Sequence, residues 1–436
     1  MELTGISFEN YKAFSRRETL VLRPLTILIG RNSSGKSAIA RFPLLLAHAL
    51  AERAQSPLEL DIRGVDFGGS FVDLIHNRTP HGAIGLGASF ESAEGDRLEI
   101  WARVQHFSEF MMQVVDSFEI TKNGQPLLSL QRSEVDPQVE KAIYSGQWGR
   151  EEAKLSLYLS FRGLWPVVHF SPQGTEESAL RLEELSNSLS SLLPQLQRAV
   201  DRVGYLGPFR VPPTRQYRFP GGLPQSVGVS GSEAPALLGA DSLRKGGVVL
   251  KAVSDWYRDY LGGWMLDISR HGDSFSLVLR SPDDPSIEVN LVDVGTGLSQ
   301  VLPLVVQRLF ETLTGKSNGL EIIEQPELHL HPGAHGDLAD LYIQAAQQPG
   351  ARFLIETHSE NFILRIRRRL AEGKFDVSRV GIYWVDDAPR PGSLIEPINL
   401  YSNGDVSSWP RGVFAEDFDE VRAIRAAQRG ANNDEG

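Results

Sequence analysis

The chain has 436 residues, 41% of them hydrophobic, no cysteine, and a formal net charge of −11. That length suits one large domain or two to three ordinary ones with a proper core, and the missing cysteines exclude disulfides, thiolate metal sites and cysteine nucleophiles. The acidic balance excludes an argument for nucleic-acid binding from bulk charge; such binding would need a local basic patch.

The start, Met1-Glu2-Leu3-Thr4, lacks a basic segment followed by an apolar one, and the apolar run 42–50 is short and interrupted by His48. With the absent cysteines, this reads as a soluble, cytoplasmic protein with no membrane partner. Residues 3–10 alternate as a strand does, and 20–30 form a second extended run ending in the apolar strand Leu25 to Ile29. Then come GRNSSGKS (30–37) and a helical pattern over 38–54 that contains Pro43. Residues 83–171 predict strands, with Asn123-Gly124 as a hairpin turn. An amphipathic helix is predicted over 175–203, interrupted by Pro194; 207–247, rich in Gly and Pro, reads as loop; 248–261 is a further helix. From 287 a strand–helix rhythm begins: strands at 287–295, 319–324, 352–358 and 379–387, with helices from about Leu298, after Pro332 and from Glu360. Apolar strands separated by helices predict a mainly parallel sheet. The expected organisation is a split α/β core: an N-terminal lobe (1–82), a β-rich and helical insertion (83–286), a C-terminal lobe (287–396) and a C-terminal extension (397–436).

Gly30-Arg31-Asn32-Ser33-Ser34-Gly35-Lys36-Ser37 fits G-x-x-x-x-G-K-[ST] between a strand and a helix, the context that separates a phosphate loop from a chance glycine turn. The glycines let successive N–H groups point inward at phosphate oxygens, and the following helix adds its positive end. Lys36 is expected at the β/γ phosphates and the Ser37 hydroxyl at Mg²⁺; ATP and Mg²⁺ are the cofactors this implies.

Two strand tips downstream carry candidate chemistry. Glu324 ends one apolar strand, where a carboxylate would hold Mg²⁺ through water; His358 ends another, where an imidazole would reach the γ-phosphate and the attacking water. Alone, an acid or a histidine at a strand end is more often a cap or a solvated residue. Their order after a phosphate loop strengthens the pair. His329 and His331, with Glu327 nearby, lack a clear third ligand for a zinc site and read better as a tight loop or a dimer contact.

The order of these motifs resembles the ABC-type ATPase heads of the structural-maintenance-of-chromosomes (SMC) and RecF kind. More closely it resembles the OLD-like (overcoming lysogenization defect) and AAA-15/AAA-21 predicted ATPases. The resemblance rests on ISFENYKAF…LTILIGRNSSGKS, FGGSFVDLIHN, DVGTGLSQVLPLV, EQPELHLHP and ETHSENFILRIRRRL; with YLGPFRVPPTRQY and WPRGVFAEDFDE, the set is similar to a single-head subgroup whose C-terminus carries a domain called DUF3696. It covers 1–80 and 287–420 well and the middle loosely. It implies an ABC-type P-loop ATPase head with a mixed central sheet, an antiparallel β subdomain and a helical insertion. It also implies a homodimer or higher oligomer closed around two ATPs, each phosphate loop facing the partner's signature loop. The signature candidates are Gly295, Thr296, Gly297 and Ser299; Gly295 stands where the family pattern has serine, leaving Ser299 to substitute. In that pattern an Asp-Glu-Pro triplet carries the magnesium acid and then a catalytic glutamate. Here it is Glu324-Gln325-Pro326, with Glu327 as an alternative base. A carboxamide orients water but cannot accept its proton, and losing general-base help typically costs roughly 10²–10⁴ in rate.

Arg365, Arg367, Arg368 and Arg369, and separately Arg210, Arg215 and Arg218, are candidate DNA-phosphate or partner contacts. For the first set, a solvated helix face paired with the chain's many acids is the preferred alternative; for the second, the alternative is packing within the insertion. The resemblance points to a slow, switch-like ATPase acting with a separate effector, a nuclease or toxin, in bacterial anti-phage defence. The alternatives are a non-hydrolysing ATP-dependent scaffold or sensor, and a DNA-maintenance ATPase.

Overall fold

Two hydrophobic patterns in the chain build two sheets. The computed structural model describes residues 1–409 apart from 52–53, 134–137, 139–141, 150–154, 170–175, 285, 316–318, 387–391 and 408. Where apolar and polar residues alternate, the chain forms a nine-stranded antiparallel sheet. It runs from Trp165–His169 back through Ala83–Glu91 to Glu2–Glu9 and Glu18–Val21 at the far edge. Arg97–Phe107 illustrates the period: Leu98, Ile100, Ala102 and Val104 are buried while their neighbours are not. The predicted hairpin turn forms, with positive φ at Asn123 (50°) and Gly124 (75°).

Where the runs are continuously apolar, the strands form a six-stranded sheet in the order Val203–Leu206, Leu320–Glu324, Arg352–Glu356, Leu25–Gly30, Val380–Asp386, Leu394–Ile398. All neighbours are parallel except the last pair. Both faces are covered, which is why these strands show no polar alternation. Leu28, Ile322 and Leu354 join the core shared with the helix Lys36–Leu50 and the antiparallel sheet. Ile27, Ile323 and Ile355 face the opposite core, with Val305, Leu338 and Ile366 from the helices Leu302–Thr314, Pro332–Ala346 and Glu360–Ala371. The fold is mixed α/β, with a large antiparallel sheet beside this mainly parallel one.

Three expectations change. The stretch 207–247 is not all loop: Ala234–Arg244 is a helix, opened by Pro235 in its first turn. The strand expected at 287–295 shrinks to Glu288–Asn290 and does not enter the parallel sheet. It pairs antiparallel with Ser274–Arg280, which itself pairs with Met265–His271. The helix expected from Leu298 is two: Thr296–Gln300, then Leu302–Thr314 opened by Pro303. Sequence divisions at 83 and 287 are also crossed in space. Val203–Leu206 joins the parallel sheet, and Glu2–Glu9 pairs with Ala83–Glu91. Of the segment 409–420, all but Trp409 lies outside the described residues, as does most of the extension 397–436. Among the described residues, no helix is long and apolar enough to cross a membrane.

Candidate functional site

Parallel strands deliver their C-terminal ends to one edge of a sheet, and ligands of open α/β sheets bind there. At this edge the strand Leu25–Gly30 turns into the loop of residues 30–37, and the helix Lys36–Leu50 begins. The turn needs two left-handed residues. Gly35 has φ 102°, and a Cβ there would meet the Phe14 ring at 2.9 Å. Ser33, with φ 64°, bears a strain of roughly 1–2 kcal/mol for a residue with a Cβ. Lys36 is almost wholly buried and donates to the carbonyls of Gly30 (3.0 Å) and Arg31 (2.6 Å). Burial pulls its pKa down. The Ser34 hydroxyl is buried with no protein partner. This is a cationic, donor-rich cradle, the chemistry that suits a polyphosphate.

The neighbouring strands end in acids. Glu324 and Glu356 are paired in register at the tips of Leu320–Glu324 and Arg352–Glu356. Their side chains have different partners. Glu324 is held by Arg41 through two bonds (Nε to Oε1 2.6 Å, Nη2 to Oε2 2.9 Å), and the Tyr205 hydroxyl donates to Oε1 at 2.9 Å. Glu356 accepts from the Ser37 hydroxyl at Oε1 (3.1 Å), while its Oε2 is buried with no partner. Burial, with the charge of Glu324 added, pushes its pKa up to about 7.

The loop after Glu324 folds over the tip of the next strand. Gln325 lies in the left-handed region at φ 45°, and its N–H donates to the Glu356 carbonyl at 2.8 Å. Its side chain is half-buried. Glu327 is buried, and its Oε1 accepts the His358 N–H at 2.7 Å. Glu327 thus braces the loop that carries His358, and burial raises its own pKa. His358 stands at the exposed rim, yet the protein atoms around its ring and the Lys36 ammonium hold it down to about 4. It is therefore a neutral imidazole at pH 7, able to accept from water or donate to an oxygen. Arg210, buried beneath this loop, donates to the carbonyls of Glu324 (3.1 Å) and Gln325 (3.0 Å).

The signature candidates lie on the neighbouring turn. Gly295 and Thr296 are exposed at the start of Thr296–Gln300. Gly297 sits so close to the loop after Glu324 that a Cβ would meet the His329 carbonyl at 2.5 Å. Ser299 is buried and donates to the Thr296 carbonyl at 2.9 Å, so its hydroxyl is turned inward.

Other sequence candidates find structural roles. His331 caps the helix Pro332–Ala346, its Nδ1 accepting from Gly333 N–H at 3.1 Å. Among the described residues no cluster of three or more histidines and acids is arranged to hold a metal ion. Arg365 pairs with Asp337 and Asp340, Arg369 with Asp340 and Glu372, and Arg368 with Glu372. Arg367 donates to the Gly404 carbonyl. Arg215 pairs with Asp293 at 2.7 Å, and Arg218 is exposed. Sequence reading missed the parts played by Arg41, Tyr205, Arg210 and Glu356. Two signals were present. Arg41 lies one helical turn beyond Ser37, on the same face, and Glu356 closes the apolar run Phe353–Ile355 of a strand paired with Leu25–Gly30.

The model of the AAA ATPase domain family AAA_15 matches residues 253–363, a stretch that includes Gly295 to Ser299, Glu324 and His358. No curated protein matches the chain. Among solved structures, the SMC head domain from Thermotoga maritima is 11% identical at a TM-score of 0.42, covering 92% of this chain and 100% of that one. An SmcHead bound to the C-winged helix domain of ScpA is 10% identical at 0.46, covering 92% and 99%. An Smc head domain with an extended coiled coil, bound to the C-terminal domain of ScpA derived from Pyrococcus furiosus, is 12% identical at 0.42, covering 97% and 99%.

Proposed function

We propose that this chain is a Mg²⁺-dependent ATPase of the ABC/SMC type that hydrolyses slowly and works as an ATP-gated switch. One observation carries the reading. The phosphate-loop turn, two strand-tip acids and the His358 loop converge on one edge of a parallel sheet, with Ser37 and Glu356 3.1 Å apart. The AAA ATPase match over 253–363 supports it from the sequence side.

In this reading the loop N–H groups and Lys36 bind the β and γ phosphates, and Ser37 with the strand-tip acids serves Mg²⁺. The metal, when bound, neutralises charge on the transferring phosphoryl group. Gln325 orients the attacking water through its carboxamide oxygen. Neutral His358 adds a further contact at the γ-phosphate. Glu327, tied to the His358 N–H, positions that loop. A general base at the Gln325 position is missing, and phosphoryl transfer tolerates this because positioning and electrostatics dominate it. Two chains then close around two nucleotides, the exposed Gly295 and Thr296 of one meeting the phosphates held by the other. The OLD-like and DUF3696 resemblance extends the proposal to a cytoplasmic partner of a separate nuclease or toxin in anti-phage defence.

Steady-state ATP turnover tests the core. Wild type should turn over slowly, Lys36→Ala should be inactive, and Gln325→Glu should be faster by roughly 10²–10⁴-fold. Fast wild-type turnover that Gln325→Glu leaves unchanged would sink the slow-switch reading.

A further inference from the structure

We infer that Glu356, rather than Glu324 alone, supplies the carboxylate oxygen that meets the nucleotide-bound divalent cation. This deepens the proposed function and rests on it. Sequence order makes Glu324 the metal acid, because it ends the strand before the Gln-Pro-Glu turn. The side-chain partners argue otherwise.

Glu324 has both oxygens engaged: Oε1 accepts from Arg41 and Tyr205, and Oε2 from Arg41. Its charge is already balanced by a guanidinium at 2.6 Å. A divalent cation placed against that carboxylate would also stand near Arg41, with like charges in a poorly solvated site. The Arg41 fork is the geometry that holds a carboxylate most firmly, so freeing Glu324 is costly.

Glu356 differs in its bonding, although Lys36 and Arg41 are close enough to act on its charge. No cationic side chain bonds to its carboxylate among the described contacts. Its Oε1 touches the hydroxyl of Ser37, the residue the loop offers to Mg²⁺. Its Oε2 is buried without any partner, in a residue that is 3% exposed. A buried carboxylate oxygen left unsatisfied costs about 1–3 kcal/mol or more, and a cation or its water shell would supply the missing partner. A hard oxygen donor beside a serine hydroxyl also suits Mg²⁺, which binds through one or two carboxylates plus substrate phosphates. Glu324 then holds Arg41 and Tyr205 against the site and shapes it from behind.

The test compares nucleotide affinity in Mn²⁺ with that in EDTA, using a fluorescent ATP analogue on the full chain. The ratio of the two measures metal–nucleotide coupling and needs no turnover. Wild type should bind more tightly in Mn²⁺. Glu356→Gln should lower the ratio at least about tenfold while keeping its EDTA affinity, which shows that the phosphate loop is still folded. Glu324→Gln should change the ratio less than about threefold. The reverse ranking, or an unchanged ratio in Glu356→Gln, overturns the assignment to Glu356 and leaves ATP binding intact. A wild-type ratio near one overturns the metal assignment for both acids. A wild type that binds no nucleotide in either condition overturns the phosphate-loop reading itself, and this inference with it.

Discussion

Glu327 shows how a residue singled out for one kind of chemistry can serve another. Its spacing after Gln325 made it a candidate base, but its Oε1 is committed to the His358 N–H and its Oε2 is buried without a partner. Glu327→Gln keeps an acceptor for that N–H and removes the ionisable group; Glu327→Leu removes both. The leucine variant should lose about 1 kcal/mol by denaturant unfolding because it removes the acceptor of a partly buried N–H. The glutamine variant also isolates a pH effect. Burial raises the Glu327 pKa above its ordinary 4.5, so the folded chain holds this proton more tightly than the unfolded one. That contribution is complete below pH 4.5 and is lost as pH climbs through the raised folded value. The wild-type urea midpoint should therefore fall relative to Glu327→Gln as pH rises from 4.5 toward neutrality. Parallel midpoint curves would contradict this.

At the scale of elements, the helix Leu302–Thr314 is fixed to the strand Leu320–Glu324 by an ionic cluster inside the apolar layer. Arg308 pairs with Glu311 on its own helix and with Glu321 on the strand, and it lies over the Phe353 ring at 4.8 Å. All three charged residues are at most 5% exposed. Removing the cation alone leaves two buried carboxylates without their partner. Arg308→Met should cost about 3–5 kcal/mol. Replacing the whole group, as Arg308→Met with Glu311→Gln and Glu321→Gln, should cost clearly less, because no charge is then left unpaired. Equal losses in the single and triple variants would show that the cluster matters through shape alone. The arginine run 365–369 obeys the same logic on a half-buried face. Asp340 takes both Arg365 and Arg369, so these cations staple Glu360–Ala371 to Pro332–Ala346.

For the whole molecule, the proposed closure around two nucleotides is a statement about mass. Light scattering should give about twice the monomer mass with ATP analogue and Mg²⁺, and the monomer mass without them. Thr296→Arg, at an exposed position on the candidate signature turn, should stay monomeric while still binding the analogue. A wild type that remains monomeric with nucleotide bound would contradict the dimer. Duplex DNA should not be retained at physiological salt, since net charge is −11 and the arginine run is paired internally.

The sequence by itself determined the parts governed by local chemistry. Gly35 at a strand–helix junction specifies the turn over 30–37, because glycine fits its left-handed backbone without strain. Alternation in Arg97–Phe107 specifies one sheet, and unbroken apolar runs at Ile27, Ile323 and Ile355 specify the other. What the tertiary structure alone decided is which side chains meet across long separations. Arg41 and Glu324 are 283 positions apart and Ser37 and Glu356 are 319 apart, yet each pair is in hydrogen-bond contact. Local periodicity carries no term for such meetings. They follow from strand order, which sets Arg352–Glu356 between the phosphate-loop strand and Leu320–Glu324. That order brings a second acid to the Ser37 hydroxyl, and the packing of Arg41 against Glu324 leaves this second acid with a free oxygen.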